Sequence, residues 1–141
     1  MGLKYELQSI ISGFGQPSTE NLIKTAAYHI GKSQKTGGAL KEQEFTKEQE
    51  TKKLIEWVDA HDYWFKDHDE SRFIASGAEQ SVFLYHDPHF VYKLNDTIFY
   101  KTWLDYFHSL LLHNYFFSST SYELHGFYLK EDTLFATVKQ P

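Results

Sequence analysis

The sequence predicts an α+β fold, with a five-stranded antiparallel sheet, one long packed helix and two preceding N-terminal helices. Two observations lead to this class. Apolar residues recur at helical spacing in the N-terminal third and again over 97–116, whereas runs of strand-forming residues occupy 72–94 and 122–139. Turn residues such as Asp87-Pro88 separate neighbouring runs, so consecutive strands are predicted to pair antiparallel.

Composition limits the class of protein. With 141 residues, 41% hydrophobic and 18% aromatic, the chain can build the core of one domain with a small helical extension. It has no Cys, which excludes a disulfide framework and a thiolate metal site. A net charge of −5 argues against nucleic acid as a partner. No signal peptide or membrane span is found, so a soluble cytoplasmic protein is expected.

The first 45 residues are predicted to form an arm, a helix and a Gly-rich linker. Residues 1–16 show no sustained period, and Pro17-Ser18-Thr19-Glu20 is typical of a helix start. An apolar stripe continues to Ile30, and Gly31 is expected to end the helix. The segment GKSQKTGGALK at 31–41 then forms the linker.

The second unit, residues 46–141, begins with another helix. Thr46 and Gln49 match the capping-box pattern, and the helix is predicted to run to about Ala60. Its first half, within KEQEFTKEQETKK, is interpreted as solvated charge.

Strands and one long helix follow from residue 72. The predicted elements are strands at 72–76, 81–85 and 90–94, a helix from about Thr97 to Phe116, and a closing hairpin at 122–129 and 133–139. Apolar residues from Tyr100 to Leu111 fall on one side of the long helix, and Asn114 continues that stripe.

The stretch GAEQSVFLYHDPHFVYKLND at 77–96 carries the chemistry. Gly77 can adopt φ values closed to other residues and lets backbone amides approach an anion. Lys93 is a compact cation in an apolar strand, and alternation places it on the face of Val91 and opposite Tyr92. The pattern favours phosphate binding. The structural alternatives are that Gly77 is an ordinary hairpin glycine and that Lys93 is an exposed charge on an amphipathic strand.

These residues also resemble a known family. Gly77 to Val82 resembles the end of the kinase glycine-rich loop, G-x-G-x-x-G-x-V, with Ala75 and Gln80 in place of two glycines. The segment ending in Lys93, VYK, resembles the V-A-I-K strand. Together with WLDYFHSLLLHNYFF and TSYELHGFY, the stretch resembles the small lobe of the bacterial and phage polyvalent-protein kinases, over about residues 50–141.

The resemblance implies ATP as the cofactor. The contacts it implies are Gly77, Ala78, Glu79, Gln80, Val82, Val91 and Lys93, with Lys93 positioning the phosphates. A kinase lysine pairs with an acid on the following helix, and Asp105 is the single carboxylate within that helix. A helical wheel places Asp105 opposite the apolar stripe, so a surface pair with Lys101 and a role for Asn114 as the polar partner stay open.

Catalytic motifs are not found in the 141 residues. No H-R-D-x-x-x-x-N or D-F-G pattern occurs, so no base or magnesium ligand is assigned, and magnesium is expected only with a large lobe. Whether the chain is an enzyme stays undecided. We expect a nucleotide-binding small lobe that is inactive alone and joins a missing large lobe or itself through an apolar underside. The alternative is a protein-interaction module without nucleotide.

A metal site is not predicted. His86 and His89 flank an Asp-Pro turn that explains the local composition, and neither H-E-x-x-H nor a closed set of ligands occurs.

Overall fold

The computed structural model describes residues 22–36 and 46–141, and it confirms the predicted α+β class with a five-stranded antiparallel sheet. The main elements are α1 (Leu22–Thr36), α2 (Lys47–His61), β1 (Phe73–Ser76), β2 (Ser81–Leu84), β3 (Val91–Asn95), α3 (Trp103–Phe116), β4 (Glu123–Lys130) and β5 (Thr133–Gln140). Short 3₁₀ turns at Glu70–Arg72 and Ser118–Thr120 precede β1 and β4. Every strand boundary lies within one residue of its prediction. None of the helices in the described ranges has the length and apolar content to cross a membrane.

Helix α1 continues beyond the predicted stop at Gly31 and reaches Thr36. No atom lies within 4 Å of where a Cβ at Gly31 would stand, so tertiary contacts do not break the helix there. One interior glycine costs only about 1 kcal/mol relative to Ala. The predicted arm (1–16), the predicted helix start (17–20) and the rest of the linker (37–41) lie outside the described residues.

The predicted start of α2 is confirmed. Thr46 Oγ1 accepts from Gln49 N at 3.2 Å, and Gln49 Oε1 accepts from Thr46 N at 2.9 Å, which completes the capping box. The helix ends where Asp62 adopts a left-handed φ of 54° and donates its N–H to Val58 O.

Helix α3 begins at Trp103, later than the predicted Thr97. Thr97 has a positive φ of 60°, and its N–H donates to Asn95 Oδ1 at 2.7 Å, so this segment forms a side-chain-stabilised turn. Thr102 is the true N-cap, because its Oγ1 accepts from Asp105 N at 3.0 Å. Polar side chains that bond the backbone locally compete with helix here.

The sheet has the order β1-β2-β3-β5-β4, with every neighbouring pair antiparallel. The three helices cover one face and share a core with it. The buried residues of that core include Ile23, Ala26, Ile30, Leu54, Trp57, Val58, Trp103, Phe107, Leu111, Leu124, Phe127 and Val138. A smaller cluster of Phe83, Tyr92 and Leu94 lies on the opposite face.

The connector after α2 runs along the outer edge of β4. Trp64 forms a parallel bridge with Phe127, Phe65 N donates to Phe127 O at 2.7 Å, and Phe127 N donates to Tyr63 O at 2.9 Å. Gly126 makes this approach possible: its φ is 152°, and a Cβ there would lie 2.5 Å from Tyr63 O.

Candidate functional site

Lys93 lies in β3 on the sheet face that the helices cover. In the strand register it stands opposite Val82 of β2 and Val138 of β5, and Val138 is part of the helix-side core. Its neighbours Tyr92 and Leu94 belong to the cluster on the other face. The position of Lys93 therefore follows the alternation of the strand.

The Lys93 ammonium is half-buried and bonds to a neutral group. Nζ donates to Gln140 Oε1 at 2.6 Å and lies 5.5 Å from the centroid of the Tyr122 ring. Burial lowers the pKa of Lys93 from its ordinary 10.5, because removal from water disfavours the charged form. None of the ion pairs between described residues includes Lys93.

The loop between β1 and β2 is short and exposed. Gly77 N donates to Gln80 O at 2.9 Å and closes the turn. The amides of Ala78 and Glu79 donate to no acceptor among the described residues. Gly77 does not use the left-handed φ that the sequence suggested, and a Cβ there would find its nearest atom, Gln80 O, at an ordinary 3.9 Å. A residue with a Cβ could therefore replace Gly77 in the folded chain, since neither the φ of Gly77 nor its neighbouring atoms exclude one.

The two valines implied in the site share the face of Lys93. Val82 stands directly opposite Lys93, and Val91, two residues earlier on β3, stands opposite Leu84 and Gln140. Both valines are partly buried. They form an apolar strip beside the ammonium.

The structure does not bring Asp105 to Lys93. Asp105 is exposed in the first turn of α3. Its negative charge acts on Glu50 of α2, where it contributes to the raised pKa of that carboxyl. The other proposed partner, Asn114, is occupied with Tyr122. Its Nδ2 donates to Tyr122 O at 2.8 Å, and its Oδ1 accepts from Tyr122 N at 2.6 Å.

Gln140 is a site residue that the sequence reasoning missed. Its side chain, at the end of β5, makes the contact with Lys93. A signal was present: once β5 pairs antiparallel with β3, Gln140 falls next to Val91 on the same face.

Glu50 of α2 was also misread, as part of a solvated run. Its side chain is fully buried and binds the start of α3, where Oε1 accepts from Trp103 N at 2.8 Å and Oε2 from Leu104 N at 3.2 Å. A carboxylate here satisfies free helix amides and complements the helix dipole. Burial, the largest effect, raises the pKa of Glu50, and the two amide bonds oppose the rise.

Two neighbours on α2 extend this contact. Lys47 Nζ donates to the carbonyl oxygens of Thr97 and of Tyr100, the latter at 2.9 Å. Thr51 Oγ1 accepts from Trp103 Nε1 at 3.0 Å. Helix α2 thus fixes both the β3–α3 connection and the first turn of α3.

A cleft of about 470 Å³ lies on the other face of the sheet. Its polar groups bond mostly to one another: His68 contacts Tyr92 Oη at 3.1 Å and Glu70 Oε1 at 2.9 Å, and Arg72 donates to Tyr85 O at 3.3 Å. The contacts with Tyr92 and Tyr85 tie the connector to β3 and to the end of β2. Within the described ranges, no group of three or more His, Asp or Glu side chains could hold a metal ion.

The sheet with its single covering helix after β3 and its inward lysine is consistent with the small lobe of a kinase-like protein. A family model described as serine/threonine/tyrosine kinase found in polyvalent proteins matches residues 47–141, about two thirds of the chain. The chain belongs to this family. No curated protein and no solved structure gives a significant match.

Proposed function

We propose that this chain binds ATP, with its phosphates held by Lys93 and by the loop at residues 77–80. The observation that carries the proposal is the state of Lys93, a half-buried cation that bonds to an amide and has no carboxylate partner among the described residues. A partly desolvated charge without a counterion is unfavourable. An anionic phosphate would supply the missing charge.

The loop supports the same ligand. Val82, which lies opposite Lys93, is two residues beyond Gln80, or roughly 7 Å along the strand. A polyphosphate that spans this distance would contact the amides of Ala78 and Glu79 as well as Lys93. Free amides and a lysine are the usual protein donors to phosphate.

The apolar strip gives a place for the base. Val82 and Val91 lie on the helix-covered face together with Lys93, so an adenine ring against these valines would direct its phosphates towards the ammonium. The family match supports ATP as the nucleotide. Phosphoryl transfer and magnesium ligation are not part of the proposal, because no described residue is assigned to either.

Thermal unfolding with increasing Mg-ATP tests the proposal. Ligand at a hundred times its Kd adds about 2.7 kcal/mol of stability, which a shift in Tm reports. We expect this shift in the native chain and not in Lys93→Ala. Lys101→Ala, at an exposed lysine outside the loop, is the matched control and should keep the shift. No shift at millimolar nucleotide in folded native protein would refute nucleotide binding.

A second candidate function, a protein-interaction module, is favoured by one observation. Tyr115, Phe116 and Phe117 follow one another at the end of α3 with 43%, 52% and 59% of their surface exposed. A continuous aromatic patch of this kind is typical of a contact surface. If it mediates self-association, Phe116→Ser should lower the mass found by sedimentation equilibrium, whereas Phe73→Ser on β1 should not. A monomeric native chain would exclude self-association through this patch.

A further inference from the structure

The Gln140 amide has one fixed orientation. Its Oε1 accepts from Lys93 Nζ at 2.6 Å, and its Nε2 donates to Thr120 O at 2.8 Å. A flipped amide would aim its NH₂ at the ammonium and its oxygen at a carbonyl, so both contacts select the observed orientation. His113 Nε2 donates to the same Thr120 oxygen at 3.0 Å, which anchors that carbonyl to α3.

The contact controls where the Lys93 ammonium stands. Val91 is the register partner of Gln140, and Lys93 is the register partner of Val138, so the two long side chains meet diagonally across the β3–β5 pair. Lysine side chains lose considerable rotamer entropy when they are fixed. The short bond to an anchored amide holds Nζ on the β5 side of β3, where Gln140 is the register partner of Val91.

Because the amide is neutral, it orients the ammonium without cancelling its charge. A carboxylate at the same distance would form an ion pair with Lys93 and oppose a second anion. The ring of Tyr122, just before β4, and the imidazole of His113 on α3 approach this arrangement, and neither side chain is a carboxylate.

We infer that Gln140 is a positioning residue for Lys93, which fixes the ammonium from the end of β5 and leaves its positive charge available for a phosphate. The inference rests on the proposed function for the identity of the anion. The orientation of Lys93 by Gln140 is a separate statement and can be measured without any nucleotide.

The test follows the Lys93 side chain directly by NMR in protein labelled with ¹³C-lysine. The Cε resonance of Lys93 is assigned by its absence in Lys93→Ala and titrated with pH. Gln140→Glu should raise the titration midpoint of Lys93, because a carboxylate favours the ammonium. Gln140→Met, which keeps the length and removes the acceptor, should lower it. Lys101 in the same spectra should titrate unchanged in both variants.

Nucleotide binding provides the second readout, by calorimetry with ATP at pH 7. Gln140→Glu should weaken ATP about tenfold or more, since it neutralises a charge-assisted phosphate contact. An unchanged Lys93 titration in both variants would overturn the inference, whether or not ATP binds. A shifted titration in protein that binds no ATP would support the positioning role and refute the nucleotide proposal instead.

Discussion

Replacement of Glu50 is expected to weaken the fold more than any other single change of a charged residue in α2. Glu50→Ala removes the acceptor of two amides, the buried N–H of Trp103 and the partly buried N–H of Leu104. An unsatisfied buried donor costs about 1–3 kcal/mol. The release of a desolvated carboxylate offsets part of this loss, so we expect the free energy of unfolding to fall by about 2–4 kcal/mol.

Denaturant unfolding followed by tryptophan fluorescence provides the measurement. Glu50→Gln keeps one acceptor oxygen, turns an NH₂ towards the second amide, and should lose about 1–2 kcal/mol. Glu48→Gln is the matched control on the same helix. Its side chain is exposed, so we expect a change of less than about 0.5 kcal/mol.

The pH dependence has a definite sign. Burial raises the folded-state pKa of Glu50 above its ordinary 4.5, so the folded protein takes up a proton before the unfolded chain does as the pH falls. The native chain should therefore gain stability relative to Glu50→Gln between the folded pKa and pH 4.5, with no further change below. A relative loss of stability over this window would refute the argument. So would a Glu50→Ala variant as stable as the Glu48→Gln control.

Four further outcomes are expected. Gly77→Ala should leave the Tm unchanged and weaken ATP binding, because a Cβ fits the free loop but obstructs a phosphate; a large loss of Tm would contradict the loop geometry. Gly126→Ala should lower the free energy of unfolding by more than about 2 kcal/mol, since its Cβ would meet Tyr63 O; denaturant unfolding checks this. Burial lowers the pKa of Lys93, so ATP affinity measured by calorimetry should begin to fall at a lower pH than for an ordinary lysine, and Lys93→Arg should remove this decline. The same shift makes stability rise with pH between the folded pKa of Lys93 and 10.5, because there the unfolded chain binds more protons.

The parts of the fold that depend on local pattern could be predicted from the sequence. The strands carry clear β-forming runs between turns, and Thr46 with Gln49 lies within one helical turn, so both signals act over a few residues. The start of α3 was wrong because Asn95 competes for the backbone of Thr97 in a way that apolar spacing does not reveal.

The parts that depend on distant contacts could not be predicted. In the sequence, Glu50 is one of several charged residues in a polar run. Its burial depends on a contact with the amide of Trp103, which lies 53 residues away. Gln140 reaches Lys93 across 47 residues, and only the strand order places them together. The sequence predicted Lys93 and the sheet face on which it lies. It could not predict Gln140 as the partner of Lys93, because that contact depends on the tertiary structure.

The connector along β4 also affects which edge of the sheet can pair with an additional strand. Because residues 63–65 bond to Phe127 on the outer side of β4, a further strand could not pair with the middle of that edge. Among the described residues, β1 is the sheet edge that pairs on one side only, and its four residues are all exposed and uncharged. A further strand is therefore expected to add at β1, and the short length of β1 limits the pairing to about four residues.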